Sequence, residues 1–288
     1  MREGYSETCD LQTAVHCPTC IAQNWHMARE AKHGILRFMS CKLSVNVNAI
    51  AYLRNRRHVP WPDLAELGRV ALRAGAVGLT VHPRPDERHI RFADVSVLRN
   101  LLRDEFKACE YNIEGYPDEH FLRLVEANKP DQVTLVPDLP GQGTSDHGWD
   151  LAKTGNLLPP IIQRLKAGGM RVALFVDPDP ALPALAKNMG ADRIEIFTGP
   201  YGGALDEPTM LAEFAKVVAT GKAAAKVGID LNAGHDLTRE NLPRLVAALP
   251  NLKEVSIGHA ITADAMMLGM EKTVHLFREA IGDHDLPI

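Results

Sequence analysis

The residues able to do chemistry fall in a few short polar runs that end apolar ones. His82-Pro-Arg-Pro-Asp-Glu-Arg-His89 holds two imidazoles and two guanidiniums within eight residues. Arg84 and Arg88 offer forks for phosphate or carboxylate, and His82 and His89 can exchange protons near neutral pH. The ordinary alternative is a solvated charged loop, but Pro83 and Pro85 stiffen the segment and favour function. Two Gly-His pairs recur later, Gly234-His235 followed by Asp236, and Gly258-His259. Glycine lets backbone N–H groups approach an anion, and a helix N-terminus just beyond favours negative charge. Glu110 lies in the apolar run Ala108–Ile113, where a carboxylate is costly unless paired or used. At an active-site mouth, burial would raise its pKa and make it a general base; a structural ion pair with an arginine is the equal alternative. Glu195, between Ile194 and Ile196, stands in a similar position.

Positioning these groups requires rigid elements. Eight apolar runs recur: Leu43–Asn48, Val77–His82, Ala108–Ile113, Gln132–Val136, Arg171–Val176, Asp192–Phe197, Val227–Asn232 and Glu254–Ile257. They are rich in Val, Ile and Leu, as strands buried on both faces are. Between most of them lie stretches with helical spacing, among them Ala93–Arg103, Asp118–Asn128, Asp150–Ala167, Pro208–Lys226 and Ala260–Ile281. Eight strand–helix alternations predict an α/β fold, a (β/α)8 TIM barrel in which loops after the strand C-termini build the active site. A doubly wound open sheet is the alternative. The absence of GxGxxG after the first strand weakens its dinucleotide-binding version. Alternation along the first strand sends Asn46 and Asn48 to one side. The Gly-rich loop from Asp138 to Trp149, with Thr144 near its centre, reads as a lid.

Composition narrows the function. A chain of 288 residues, 45% of them hydrophobic, can bury one barrel core. A net charge of −4 argues against a dedicated nucleic-acid surface, and no apolar stretch is long enough to span a membrane. No secretory signal is visible, which points to the cytoplasm and to reduced thiols for the five cysteines. Residues 1–40 read as an N-terminal extension, disordered or upstream of the natural start at Met39, with the barrel domain over 41–288. Cys17-Pro-Thr-Cys20 has zinc-knuckle spacing, which Cys9 and His26 could complete, but one CxxC alone is a weak signal and the expectation is no metal.

In order and spacing, several segments resemble the pyridoxine 5′-phosphate synthase family: Val45–Arg57, Gly78–Arg84, Arg88–Ile90, Leu135–Pro137, Glu195–Gly199, Asn232–His235 and Ile257–Ala260. The resemblance runs from about Leu43 to Gly282. It implies a barrel that condenses 1-deoxy-D-xylulose 5-phosphate with 3-amino-2-oxopropyl phosphate into pyridoxine 5′-phosphate, phosphate and water. It also implies no cofactor and a homo-octamer. Carried over by motif, His82 and Glu110 are the proton acceptors and His235 the proton donor. Asn46, Asn48, Arg57, Arg84, His89, Thr144, Asp236, Gly258 and His259 bind the phosphorylated substrates. The sequence departs from the family pattern on its first strand, where Asn48-Ala49 replaces the usual Asp-His. It departs also at Asp236, where glycine is common, and at Phe197, where histidine is. A barrel aldolase or isomerase of phosphorylated sugars, or a non-catalytic relative, are the alternative readings. A Schiff-base aldolase would need a strand-end lysine, and none is clearly placed.

Overall fold

The computed structural model describes residues 41–138, 141–154 and 156–284. The chain divides into two units, Met1–Phe38 and Met39–Ile288. The expectations for residues 1–40, zinc included, lie outside the described residues.

Eight parallel strands close into a barrel in chain order, β1 pairing with both β2 and β8. They are β1 Lys42–Asn46, β2 Gly78–Val81, β3 Glu110–Gly115, β4 Gln132–Leu135, β5 Arg171–Val176, β6 Arg193–Phe197, β7 Asp230–Gly234 and β8 Leu252–Ile257. Around them run α1 Asn48–Asn55, α2 Leu64–Arg73, α3 Phe92–Glu105, α4 Glu119–Asn128, α5 Leu158–Ala167, α6 Leu182–Asn188, α7 Gly199–Gly202, α8 Glu207–Val227, α9 Leu242–Ala248, α10 His259–Leu268 and α11 Met270–Ala280. Carboxylates start several helices. Asp63, Asp118 and Asp206 accept the N–H groups of Glu66, Phe121 and Thr209, satisfying donors the helix cannot.

Period-two alternation divides the strand side chains. Leu43, Val45, Leu79, Ile113, Leu135, Leu174 and Ile257 join the helices in one large buried cluster. The opposite face is mostly polar. Ser44 and Thr80 hydroxyls meet at 2.8 Å, and Thr134 donates to Asn112 at 3.1 Å. A second, small apolar cluster of Val136, Phe175 and Phe197 stands apart from the large one.

Several boundaries differ from the sequence reading, each for a local reason. β3 starts two residues later than expected and runs on through Glu114 to Gly115, because Asn112 to Gly115 pair with β4. β7 is shifted toward its C-terminus because α8 continues to Val227. The helix expected over Asp150–Ala167 begins at Leu158, since Pro159 and Pro160 fit only a first turn. The segment after β8 is two helices broken at Gly269, whose φ of +81° a glycine adopts without side-chain strain.

Candidate active site

At the C-terminal end of the barrel lies an open cavity of about 1020 Å³. Asn46, Asn48, His82, Arg84, His89 and Thr144 line one part of it. Glu114, Glu195, His235, Asp236, Gly258 and His259 line the rest. Nearly all the residues singled out from sequence therefore converge on one cavity.

The first two strand ends are stitched by amide oxygens. Asn46 Oδ1 accepts the Asn48 N–H at 3.0 Å, and Asn48 Oδ1 accepts the His82 N–H at 2.9 Å. An amide oxygen can accept this bond as a carboxylate oxygen could. The end of α1 then clamps the loop after β2. Asn55 donates to the carbonyls of Glu87, Arg88 and His89, and buried Arg54 grips Asp94 with two bonds of 2.8 Å.

His82 is buried between two carboxylates. Its Nδ1 lies 3.9 Å from Glu114 Oε2 and its Nε2 lies 3.7 Å from Asp138 Oδ2. Burial, reinforced by the Arg84 cation, drives its pKa well below the ordinary imidazole value, so it stands neutral and ready to take a proton. Glu114 is pushed the other way, well above the carboxylate range, by burial and by the neighbouring Glu195 and Asp138. Burial next to Glu254 takes Glu195 to about 8. His89 falls to about 4 through burial beside Arg84 and Arg88, and its Nδ1 accepts the Ile90 N–H at 2.9 Å, leaving Nε2 as donor.

His235 ends β7 at a φ of +80°, and Asp236 follows at +54°. Two consecutive non-glycine residues in the left-handed region require outside support. Thr198 supplies it by donating its hydroxyl to the Gly234 and His235 carbonyls, and Asn241 by donating to that of Asp236. The His235 ring packs against Phe175 and Phe197, with centroids 5.4 and 5.2 Å away. Phe197, at a family histidine position, thus forms the apolar wall that lowers the His235 pKa by burial. At β8, a Cβ on Gly258 would come within 3.1 Å of Asn46 Cβ. Glycine spares that crowding where the N-terminus of α10, which has no side-chain cap, passes β1, and a helix N-terminus favours an anion.

One sequence expectation needs correction, and a second residue stands apart from the cavity. Glu110 is the first residue of β3, at the opposite end from the cavity, where Arg171 Nη2 binds its carboxylate; the structural ion pair is what forms there. Four residues along a strand span roughly 13 Å. The mouth carboxylate on this strand is Glu114, on the same face as Glu110, and continuing the alternation two steps further would have found it. Arg57 is exposed just beyond α1 and does not line the cavity. Sequence reasoning also passed over Asp138 as a partner for site residues. Among the described residues no group of three or more His, Cys, Asp or Glu is arranged to hold a metal ion, and no helix is long and apolar enough to cross a membrane.

A closed parallel barrel with neutral imidazoles, a raised carboxyl and a helix N-terminus at its mouth defines a (β/α)8-barrel of enzymatic type, suited to small anionic substrates. More particularly, the chain belongs to the family described as pyridoxal phosphate biosynthesis protein PdxJ, whose model matches residues 43–283. It is 58% identical over 248 residues to a pyridoxine 5′-phosphate synthase of Rhizobium meliloti strain 1021, covering 85% of this chain and 99% of that one. It is 57% identical over 244 residues to a protein of the same name from Brucella anthropi, covering 84% and 100%. Among solved structures, one from Aquifex aeolicus VF5 is similar with a TM-score of 0.59 at 15% identity, covering 85% of this chain and 93% of that chain. A thiamine phosphate pyrophosphorylase from Pyrococcus furiosus is similar with a TM-score of 0.53 at 15% identity, covering 85% and 98%. These structural likenesses speak for the barrel alone.

Proposed function

We propose that this chain is a pyridoxine 5′-phosphate synthase, condensing 1-deoxy-D-xylulose 5-phosphate with 3-amino-2-oxopropyl phosphate in vitamin B6 biosynthesis. The observation that carries the reading is the meeting of His82, Glu114 and His235 in one cavity whose far side ends at Gly258 and the α10 N-terminus. Amine attack on a ketone, loss of water, loss of phosphate and ring closure all move protons repeatedly. His82, neutral in the empty site, accepts first. Glu114, holding its proton through burial, donates to a leaving hydroxyl and afterwards accepts in turn. A phosphate dianion held by the backbone of Asp236, Gly258 and His259 raises the pKa of His235 and equips it to donate. Arg84, His89 and Thr144 hold the sugar phosphate. Thr144 and Ser145, on the loop after β4, line the cavity, and closure of this loop keeps water from imine and enol intermediates. The enzyme is transferase-like, cytoplasmic, and works without a cofactor as a homo-octamer. Exposed Tyr52, Leu53 and Trp61, next to Arg57 in sequence, offer apolar surface for subunit contact.

Incubating the purified protein with both substrates tests the reading. Pyridoxine 5′-phosphate and inorganic phosphate should appear together. Binding of both without turnover would instead establish the non-catalytic alternative, which the loss of the family's Asp-His pair at Asn48-Ala49 favours.

A further inference from the structure

Beside the cavity stands a carboxylate with no place in the proton transfers above. Asp138 follows β4, is buried, and lines a small adjoining pocket together with His82 and Arg84. One of its oxygens collects three site residues from two loops. Oδ2 accepts from Arg84 Nη2 at 2.5 Å and from Ser145 Oγ at 2.6 Å, and it lies 3.7 Å from His82 Nε2. Its other oxygen, Oδ1, is buried with no hydrogen-bond partner among the described residues. A carboxylate half-satisfied in this way is a poor structural brace, because an unpaired buried oxygen loses its hydration without gaining a partner. Arg84 and Arg88 also donate to the Gln142 carbonyl, at 3.2 and 2.8 Å, so the same cluster joins the β2 loop to the β4 loop.

We infer that Asp138 is the positioning residue of the site. It fixes the Arg84 fork and the Nε2 edge of His82 through one oxygen, and it ties Ser145 of the covering loop to both. The role rests on the reaction proposed above. When His82 takes a proton, Asp138 is the anion facing Nε2 while Glu114 faces Nδ1. The other charged or titratable groups around the ring are Arg84, Arg88 and His89 of its own loop and His235 after β7. Of the two flanking carboxyls, Glu114 holds its proton, so the favourable charge for the imidazolium comes from Asp138.

Steady-state kinetics of Asp138→Asn test this, with both substrates varied and kcat/KM followed against pH. The substitution keeps the shape and removes the charge. We expect kcat to fall roughly 100-fold, the effect of a misplaced reacting group, with the KM for 3-amino-2-oxopropyl phosphate little changed. The acid limb of kcat/KM should move to lower pH, because the imidazolium loses its neighbouring anion. Ser145→Ala should lower kcat less and leave the limb in place. Wild-type kcat in folded Asp138→Asn, or an unmoved acid limb, would overturn the role. If the Asn variant does not fold, Asp138→Glu carries the test. Reduced kcat with the limb at its wild-type position supports the role, and unchanged kcat refutes it. Wild-type protein assayed beside them separates the two levels, since absence of product there overturns the reaction itself and this role with it.

Discussion

Single residues in this site are tuned by burial more than by pairing, and that makes their roles separable. His235 sits against Phe175 and Phe197 in a backbone conformation that only its neighbours sustain. His235→Ala should leave the fold and its thermal transition near wild type while abolishing product formation; full activity would sink the donor assignment. Asp236 carries both left-handed strain and a negative charge beside the phosphate end. Asp236→Gly should stabilise the protein by about 1 kcal/mol and lower the KM of the amino-ketone phosphate. Thermal melts and initial rates check the two effects independently, and a raised KM would show that the carboxylate helps binding. Residue types and motif order made most of this site legible in the sequence. The exceptions have physical causes. Glu110 and Glu114 share one strand face, and only the register tells which one reaches the mouth. Asp138 reads as a loop residue until tertiary packing brings Arg84 and Ser145 to it.

At the scale of elements, the barrel works by bringing strand ends and helix starts close together. The approach of α10 to β1 depends on Gly258, where any Cβ would press on Asn46. Gly258→Ala should displace the α10 N-terminus by a few tenths of an ångström and raise KM roughly 10-fold with a smaller change in kcat. An unchanged KM would move phosphate binding away from this helix. Strand and helix count were legible because buried parallel strands read as apolar runs and helices by their spacing. Boundaries were less so. The end of β3 carries Glu114-Gly115, a pair that reads as a loop until β4 pairs with it. The break between α10 and α11 rests on the single Gly269.

For the whole molecule, the polar barrel interior has a pH signature. Glu195 and Glu254 are raised from 4.5 to about 8 and about 7, chiefly by burial. Between pH 4.5 and these values the folded state holds protons that the unfolded chain releases. The stability they contribute is therefore fully present below the unfolded pKa and is lost as pH rises through the folded one. His82, His89 and His235 act oppositely. Their lowered pKa values add stability above the ordinary imidazole value that is lost toward acid. The two trends overlap, so the difference between variant and wild type isolates the carboxyl. Glu195→Gln should melt at wild-type temperature near pH 5 and several degrees higher near pH 8.5. A difference independent of pH would mean that Glu195 does not titrate in this range.

Catalysis at the barrel mouth is tested most directly by the rate of pyridoxine 5′-phosphate formation by wild type, Glu114→Gln and Glu110→Gln under identical conditions. Glu114→Gln removes a proton-transfer group at the mouth and should lose about 100-fold or more in kcat. Glu110→Gln removes only half of a partly exposed ion pair with Arg171 at the far end. It should turn over at the wild-type rate, with stability reduced by about 1 kcal/mol or less. Full activity in Glu114→Gln, or loss of activity in well-folded Glu110→Gln, would contradict the placement of catalysis at the C-terminal mouth of this barrel.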